Sequence, residues 1–213
     1  MSHLTDGRLI GVTESRAVGT KGMPREEREA QLVVAGTEEF GRAGYAGASM
    51  AEIARRVGVT KPLLYQYFGS KDGLYLACLH RAGGRLTEGV AATMATGGEP
   101  EGMPLKVLAA IFTTFDHDRY GWKLLRDLTV PTRGDIASAA ADYRRRLDGF
   151  ALVGAAQLMS SRGLSDPLDI EAVARVWTGV VDSLISWWID RPEEDATAMT
   201  TRCARIMDRL FGW

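Results

Sequence analysis

From residue 24 onward, apolar positions return every three or four residues. Leu32, Ala35, Gly36, Phe40 and Ala43 share one face of a predicted helix, which Gly41, Gly44 and Gly47 then interrupt. Leu74, Cys78, Ala82, Leu86 and Val90 step by four toward a stop at Gly97-Gly98. Further helices are predicted over about 104–115 and 122–128, the second ending before Pro131. Ile136, Ala140, Tyr143, Leu147, Phe150, Gly154 and Leu158 mark a long helix that ends near Gly163. Two more span about 169–190 and 195–211, with Pro192 between them. Strand-like alternation is scarce and no segment carries a hairpin signal, so the fold class is all-α.

The chemistry concentrates between Ala48 and Lys71. Ser49 and Glu52 have the spacing of a reciprocal N-terminal cap, and Met50, Ile53, Ala54 and Val57 form one apolar face. Gly58 can end that helix in the left-handed conformation. Thr60 can cap a second helix, with Pro62 tolerated in its first turn. Two short helices around a glycine turn have the anatomy of a helix-turn-helix. Leu64 and Phe68 would face the core, leaving Lys61, Pro62, Leu63, Tyr65, Gln66 and Tyr67 on the remaining arc. Lysine and tyrosine suit phosphate and base edges, and Gln66 suits bidentate reading of adenine. Capped helices around a glycine occur widely, however, and Tyr65 and Tyr67 would serve equally to shield a core.

The combined run resembles the tetracycline-repressor (TetR) family. It comprises Phe40-x-x-x-Gly44-Tyr45, Ser49, Ile53-Ala54, Gly58-Val59-Thr60, Leu64-Tyr65-x-Tyr67-Phe68 and Ser70-Lys71-x-x-Leu74. Ala48 and Leu63 stand where that family often has threonine. The resemblance implies an N-terminal three-helix helix-turn-helix domain over 24–70, after a flexible arm over 1–23. A larger helical domain for ligand binding and dimerisation would follow over 71–213. It places Tyr65, Tyr67 and Lys71 at phosphate-clamping positions and makes Ser49, Thr60, Lys61, Pro62, Leu63, Tyr65, Gln66, Tyr67 and Lys71 the candidate DNA-binding set. The expected function is a transcription regulator, a repressor released from its double-stranded operator by a small-molecule effector. In a dimer the two recognition helices would sit about 34–36 Å apart, one turn of DNA. The alternative is a helical ligand-binding or adaptor protein with a vestigial helix-turn-helix; retention of Lys61, Tyr65, Tyr67 and Lys71 together argues against it.

The helix over 169–190 independently suggests a partner. Ile170, Val173, Ala174, Trp177, Val180, Val181, Leu184, Ile185, Trp187 and Trp188 cover about twice the arc of an ordinary amphipathic helix, so apolar cover is needed on two sides. Its core and a second subunit would supply them, unless the helix is buried wholly within one chain. Val180, Ile185, Trp188, Met199, Cys203, Ile206 and Leu210 are the candidate dimer residues. Phe112, Phe115, Trp122, Tyr143, Phe150, Met159 and Trp177 are candidate walls of a pocket for a largely apolar effector, though each also fits plain core. Asp182 is expected to point outward.

Composition narrows the alternatives. Of 213 residues 46% are hydrophobic and 25% charged, ordinary for a folded chain, and the net charge is −1. Positive charge must therefore be local: between Gly41 and Lys71 stand five basic residues and a single acid, Glu52. Cys78 and Cys203 show neither metal-ligand spacing nor a disulfide framework. In Asp116-His117-Asp118 the side chains would point apart along a helix, so a solvated helix end is expected rather than a metal site, and His80 and Arg81 read as exposed. No phosphate loop, metal-helix motif or nucleophile motif suggests an enzyme, and no cofactor is expected. The chain shows neither a membrane-length apolar run nor a signal-peptide core, which suggests a cytoplasmic protein, and Met23 could serve as an alternative start.

Overall fold

The computed structural model describes residues 23–211, with side chains to Arg209; residues 1–22 of the arm expected over 1–23 and the side chain of Leu210 lie outside the described residues. Among these residues every regular element is helical: α1 Arg25–Gly47, α2 Met50–Val57, α3 Lys61–Phe68, α4 Lys71–Ala95, α5 Met103–Phe115, α6 Tyr120–Leu125, α7 Asp135–Ser161, α8 Pro167–Ile189 and α9 Ala196–Phe211. A 3-10 turn at Pro100–Gly102 leads into α5 and has no periodic signal in the sequence.

Local chemistry sets the boundaries. Ser49 Oγ accepts from the Glu52 amide at 3.3 Å, Thr60 Oγ1 from the Leu63 amide at 3.3 Å, and Ser70 Oγ from the Gly73 amide at 2.9 Å. Gly58 closes α2 with φ 71° and ψ 31°, in the left-handed region that glycine enters without cost. The expected reciprocal bond from Glu52 to the Ser49 amide is not made. That amide donates instead to Glu39 Oε1 at 3.1 Å, while Glu52 turns to Arg55 and Arg56. A full guanidinium pair outcompetes one amide for an ionised carboxylate.

One buried core runs from Leu32 on α1 to Cys203 on α9. Helix α4 is its spine, burying Leu74, Tyr75, Cys78, Leu79, Ala82, Leu86 and Val90 against α1, α5, α6 and α7. At Gly36 an added Cβ would lie 2.9 Å from Cys78 Sγ, so the two helices meet backbone to side chain at that point. Helix α8 rests on α7, and α9 rests on α5.

Several expectations need correction. Ile185, Trp188, Met199 and Cys203 are at most 4% exposed within a single chain, so a second subunit cannot cover them. The apolar residues that α8 leaves on its surface are Leu168, Val176, Val180 and Trp187, and α9 adds Ile206. Reading the arc of α8 from sequence could not tell which part the chain's own core would take. The Asp116–Asp118 segment is not a solvated helix end. Asp116 Oδ1 accepts from the Ala196 amide at 3.1 Å, and Asp118 pairs with Arg81 at 2.8 Å. Arg81 is accordingly half-buried, and burial raises the Asp118 carboxyl pKa against the pull of Arg81 and Arg85.

Candidate DNA-reading helix and effector cavity

Helix α3 stands on α2 and α4 with Leu64 fully buried beneath it. Lys61, Pro62, Tyr65 and Gln66 are exposed, whereas Leu63, Tyr67 and Phe68 are half-buried. The Lys61 ammonium lies 5.9 Å from the centre of the Tyr65 ring. Ser49 and Thr60 are exposed, and both hydroxyls are engaged as helix caps. Lys71 is half-buried: its ammonium donates to the carbonyls of Ala48 at 2.8 Å and Ala46 at 3.3 Å, and lies 5.0 Å from the Tyr45 ring. The structure thus brings Ser49, Thr60 and Lys71 together as the frame around α3.

The local positive charge differs from the sequence reading. Arg42 pairs with Glu38 at 2.7 Å, Arg55 with Glu52 at 2.7 Å, and Arg56 with Glu38, Glu39 and Glu52 at 3.1–3.2 Å. Hydrogen bonds from Arg55 and then Arg56 hold the Glu52 carboxyl at about 2, against an ordinary value of 4.5. Glu38 and Glu39 lie on α1, just upstream of the stretch in which the sequence shows its basic excess. One cation missed by that reading is Arg25, whose guanidinium stands 5.4 Å from the centre of the Tyr67 ring. Only the fold brings the first residue of α1 to the flank of α3.

A cavity of about 430 Å³ opens among α4, α5, α6, α7, α8 and α9. Trp122, Phe150 and Trp177 line it as expected from sequence. Phe112 and Phe115 do not; they are at most 1% exposed and stack edge-on against Trp188 and Trp122. Nor does Tyr143, which covers Gly83 and hydrogen-bonds His80 Nδ1 at 3.1 Å, or Met159, which is half-buried outside the lining. Small residues were missed: Ala151, Gly154 and Ala155 on α7 make the space that the larger residues border. Val180, Cys203 and Ile206, expected at a dimer contact, also line this cavity.

Helix α6 joins the cavity to α1. Its Trp122 and the following Arg126 line the cavity, while Tyr120 lies against Gly41 of α1, where an added Cβ would be 2.5 Å from Tyr120 Cβ. Asp127 Oδ2 accepts from the Tyr45 amide at 2.7 Å and from the Tyr75 hydroxyl at 3.3 Å. Thr129 Oγ1 accepts from the Ala46 amide at 3.2 Å. Gly44, at φ 69°, gives the chain the bend that presents those amides, and an added Cβ would meet Thr129 Oγ1 at 2.7 Å.

No group of three or more histidine, cysteine, aspartate or glutamate side chains among the described residues is placed to hold a metal ion. No helix among them is long and apolar enough to cross a membrane.

Residues 32–78 match the model of the bacterial regulatory proteins of the tetR family. The transcriptional activator FasR of Mycolicibacterium smegmatis is 39% identical over 116 residues, 54% of this chain and about half (53%) of FasR. The HTH-type transcriptional regulator Rv1255c of Mycobacterium tuberculosis is 32% identical over 154 residues, covering 72% of each chain. Among solved structures, AibR in complex with isovaleryl coenzyme A and operator DNA superposes with a TM-score of 0.70 at 19% identity, over 86% of this chain and 98% of that one. With its helix-turn-helix, its all-helical fold and relatives of matching length, the chain belongs to the TetR family of DNA-binding transcription regulators.

Proposed function

We propose that this regulator reads its operator through α3 and releases it when a small molecule fills the cavity. The observation carrying the reading is the exposed arc of α3. Lys61, Pro62, Tyr65 and Gln66 project from a helix that is fixed at both ends by caps and beneath by Leu64. Residues held in place by packing but turned to solvent suit a groove reader. Tyr67, Lys71 and Arg25 flank it toward the phosphates, with the amides at the start of α4 beside Lys71. Ser49 and Thr60 complete the candidate set, and Leu63 would meet a thymine methyl. Residues 24–70 are read as the DNA-binding part and 71–213 as the effector and dimerisation part, although α4 packs into both.

The cavity supports a largely apolar effector, and the fold is the one that holds an acyl thioester and operator DNA in AibR. Two copies would meet across the exposed apolar stripe Val176, Val180 and Trp187 of α8 together with Ile206 of α9. A dimer sets two recognition helices one DNA turn apart, and only a ligand with different affinity for the two spacings can shift them. The relatives are named regulators, so a non-enzymatic role is the reading that fits.

The test is fluorescence anisotropy with the DNA upstream of the chain's own gene, comparing wild type with Lys61→Ala/Tyr67→Ala across a salt series. Tight binding that weakens with salt and collapses in the double variant is expected. If neither that DNA nor any sequence selected from a random pool binds better than bulk DNA, the operator reading fails.

A further inference from the structure

The cavity wall is apolar except near one end, where Arg126, Arg144, Asp148 and Thr178 interrupt it. Met94, Met103 and Leu158 lie toward the other. Between Arg144 and Leu158 helix α7 makes about four turns, so the cavity follows it for about 20 Å. A molecule much longer than wide fits that space.

The charges at the polar end are unequally satisfied. Arg126 pairs with Asp182 at 3.1 Å, and the same carboxylate accepts from Trp122 Nε1 at 3.2 Å. Asp182 therefore reaches across to α6 while its side chain stays 44% exposed, as the sequence suggested. Asp148 is exposed. Arg144 is half-buried in the wall and makes no hydrogen bond or ion pair among the described residues. Asp148 stands one turn on along α7 but makes no ion pair with Arg144, so an anion in the cavity can pair with this guanidinium. The Arg144 charge also acts on the Tyr75 hydroxyl, lowering its pKa against the strong upward push of burial.

Arg126 is followed directly by Asp127, the residue that holds the Tyr45 amide at 2.7 Å. One step of backbone therefore separates the cavity's cation from the seat of α1.

Resting on the effector reading above, we infer that the effector is an elongated aliphatic molecule with an anionic end group, held by Arg144 and Arg126. Its anion takes the place of Asp182 as counter-ion to Arg126. The displaced guanidinium shifts Asp127 and with it the end of α1 that supports α2 and α3. The shared chemistry, an alkyl chain in a molecule with an anionic end, is supplied by the carboxylate in free long-chain acids and by the coenzyme's phosphates in their coenzyme A thioesters.

The experiment titrates the full chain with dodecanoate, dodecanoyl-coenzyme A, dodecanol and dodecyltrimethylammonium by calorimetry, and measures DNA binding in each case. At least one anionic ligand should bind roughly tenfold or more tighter than the alcohol. Which of the two does so identifies the source. Arg144→Gln should bring that ligand to within about threefold of the alcohol, while Arg144→Lys keeps most of the preference. Asp127→Asn should still bind the ligand, but its DNA affinity should no longer respond. Equal binding of alcohol and anions, or tightest binding of the alkylammonium, overturns the inference. DNA binding by the ligand-free wild type separates the two readings: if it is intact while anions gain nothing, only this inference falls.

Discussion

The Arg119 guanidinium lies 4.1 Å from the centre of the Trp188 ring and ties together the ends of two helices. It donates to the carbonyls of Arg191 at 2.7 Å and Glu194 at 2.6 Å, and more weakly to that of Trp188 at 3.4 Å. The C-terminal end of α8, rich in unsatisfied carbonyls, thus receives a fixed positive charge. Asp116, one turn earlier, accepts from the amide that begins α9. The α5–α6 junction in this way fixes where α8 ends and α9 starts.

Arg119→Ala should lower stability by about 1.5–3 kcal/mol, the range for a hydrogen bond to a charged group in a site shielded from water. Chemical denaturation checks it. Arg119→Lys should recover little, because one ammonium cannot span several carbonyls in a plane. A full rescue by lysine would mean that charge alone matters there.

Gly41 gives a prediction of unusual sign. Within a helix, glycine to alanine ordinarily stabilises by about 0.5–1 kcal/mol. Here the new methyl would meet Tyr120 Cβ at 2.5 Å and the Tyr120 carbonyl at 2.9 Å. Gly41→Ala should therefore cost about 1–3 kcal/mol, the range for overpacking, and lower the thermal midpoint. An unchanged or raised midpoint would show that α6 is not seated on α1 at this point.

Acid should loosen α2 through Glu52. Its carboxyl is held at about 2 in the folded chain, chiefly by Arg55 and then Arg56, against 4.5 ordinarily. A depressed acid stabilises the fold above its unfolded value, and that contribution is lost as pH falls from about 4.5 to about 2. Denaturation at a series of pH values should show a shallower loss over this interval for Glu52→Gln than for wild type. Parallel curves would mean that the pairs are too solvated to matter.

The exposed stripe on α8 predicts the oligomeric state. Val176 is 67% exposed, so an aspartate there leaves the fold of one chain intact. Val176→Asp should shift the sedimentation coefficient from dimer to monomer, with operator affinity falling as well because two half-sites are no longer read together. A variant that remains dimeric would place the interface elsewhere.

Much of the candidate reading head, α2 and α3, was legible because its signals are local. The caps at Ser49 and Thr60, the left-handed Gly58 and the burial of Leu64 all follow from neighbours within a few residues. Helix ends elsewhere came within a few residues for the same reason: Pro167 opens α8 and Gly163 ends the turn after α7. What required the fold was distant in sequence. Glu39 reaches the Ser49 amide from α1, Arg25 reaches Tyr67, and Asp182 turns to Trp122 across sixty positions. Size also misled. Phe112 and Phe115 suggested cavity walls, but large rings fill space, and the void lies where α7 carries Ala151, Gly154 and Ala155.

The glutamates paired with Arg42, Arg55 and Arg56 bear on how such a regulator would find its target. Attachment to DNA of any sequence comes mainly from free cations displacing condensed counter-ions, and here three guanidiniums of α1 and α2 already have carboxylate neighbours. Chance encounters along the chromosome would then be brief, with little sliding between them. Occupancy would depend on the few side chains that must match an operator, so a modest number of molecules would not be drained away by the vast excess of irrelevant sites.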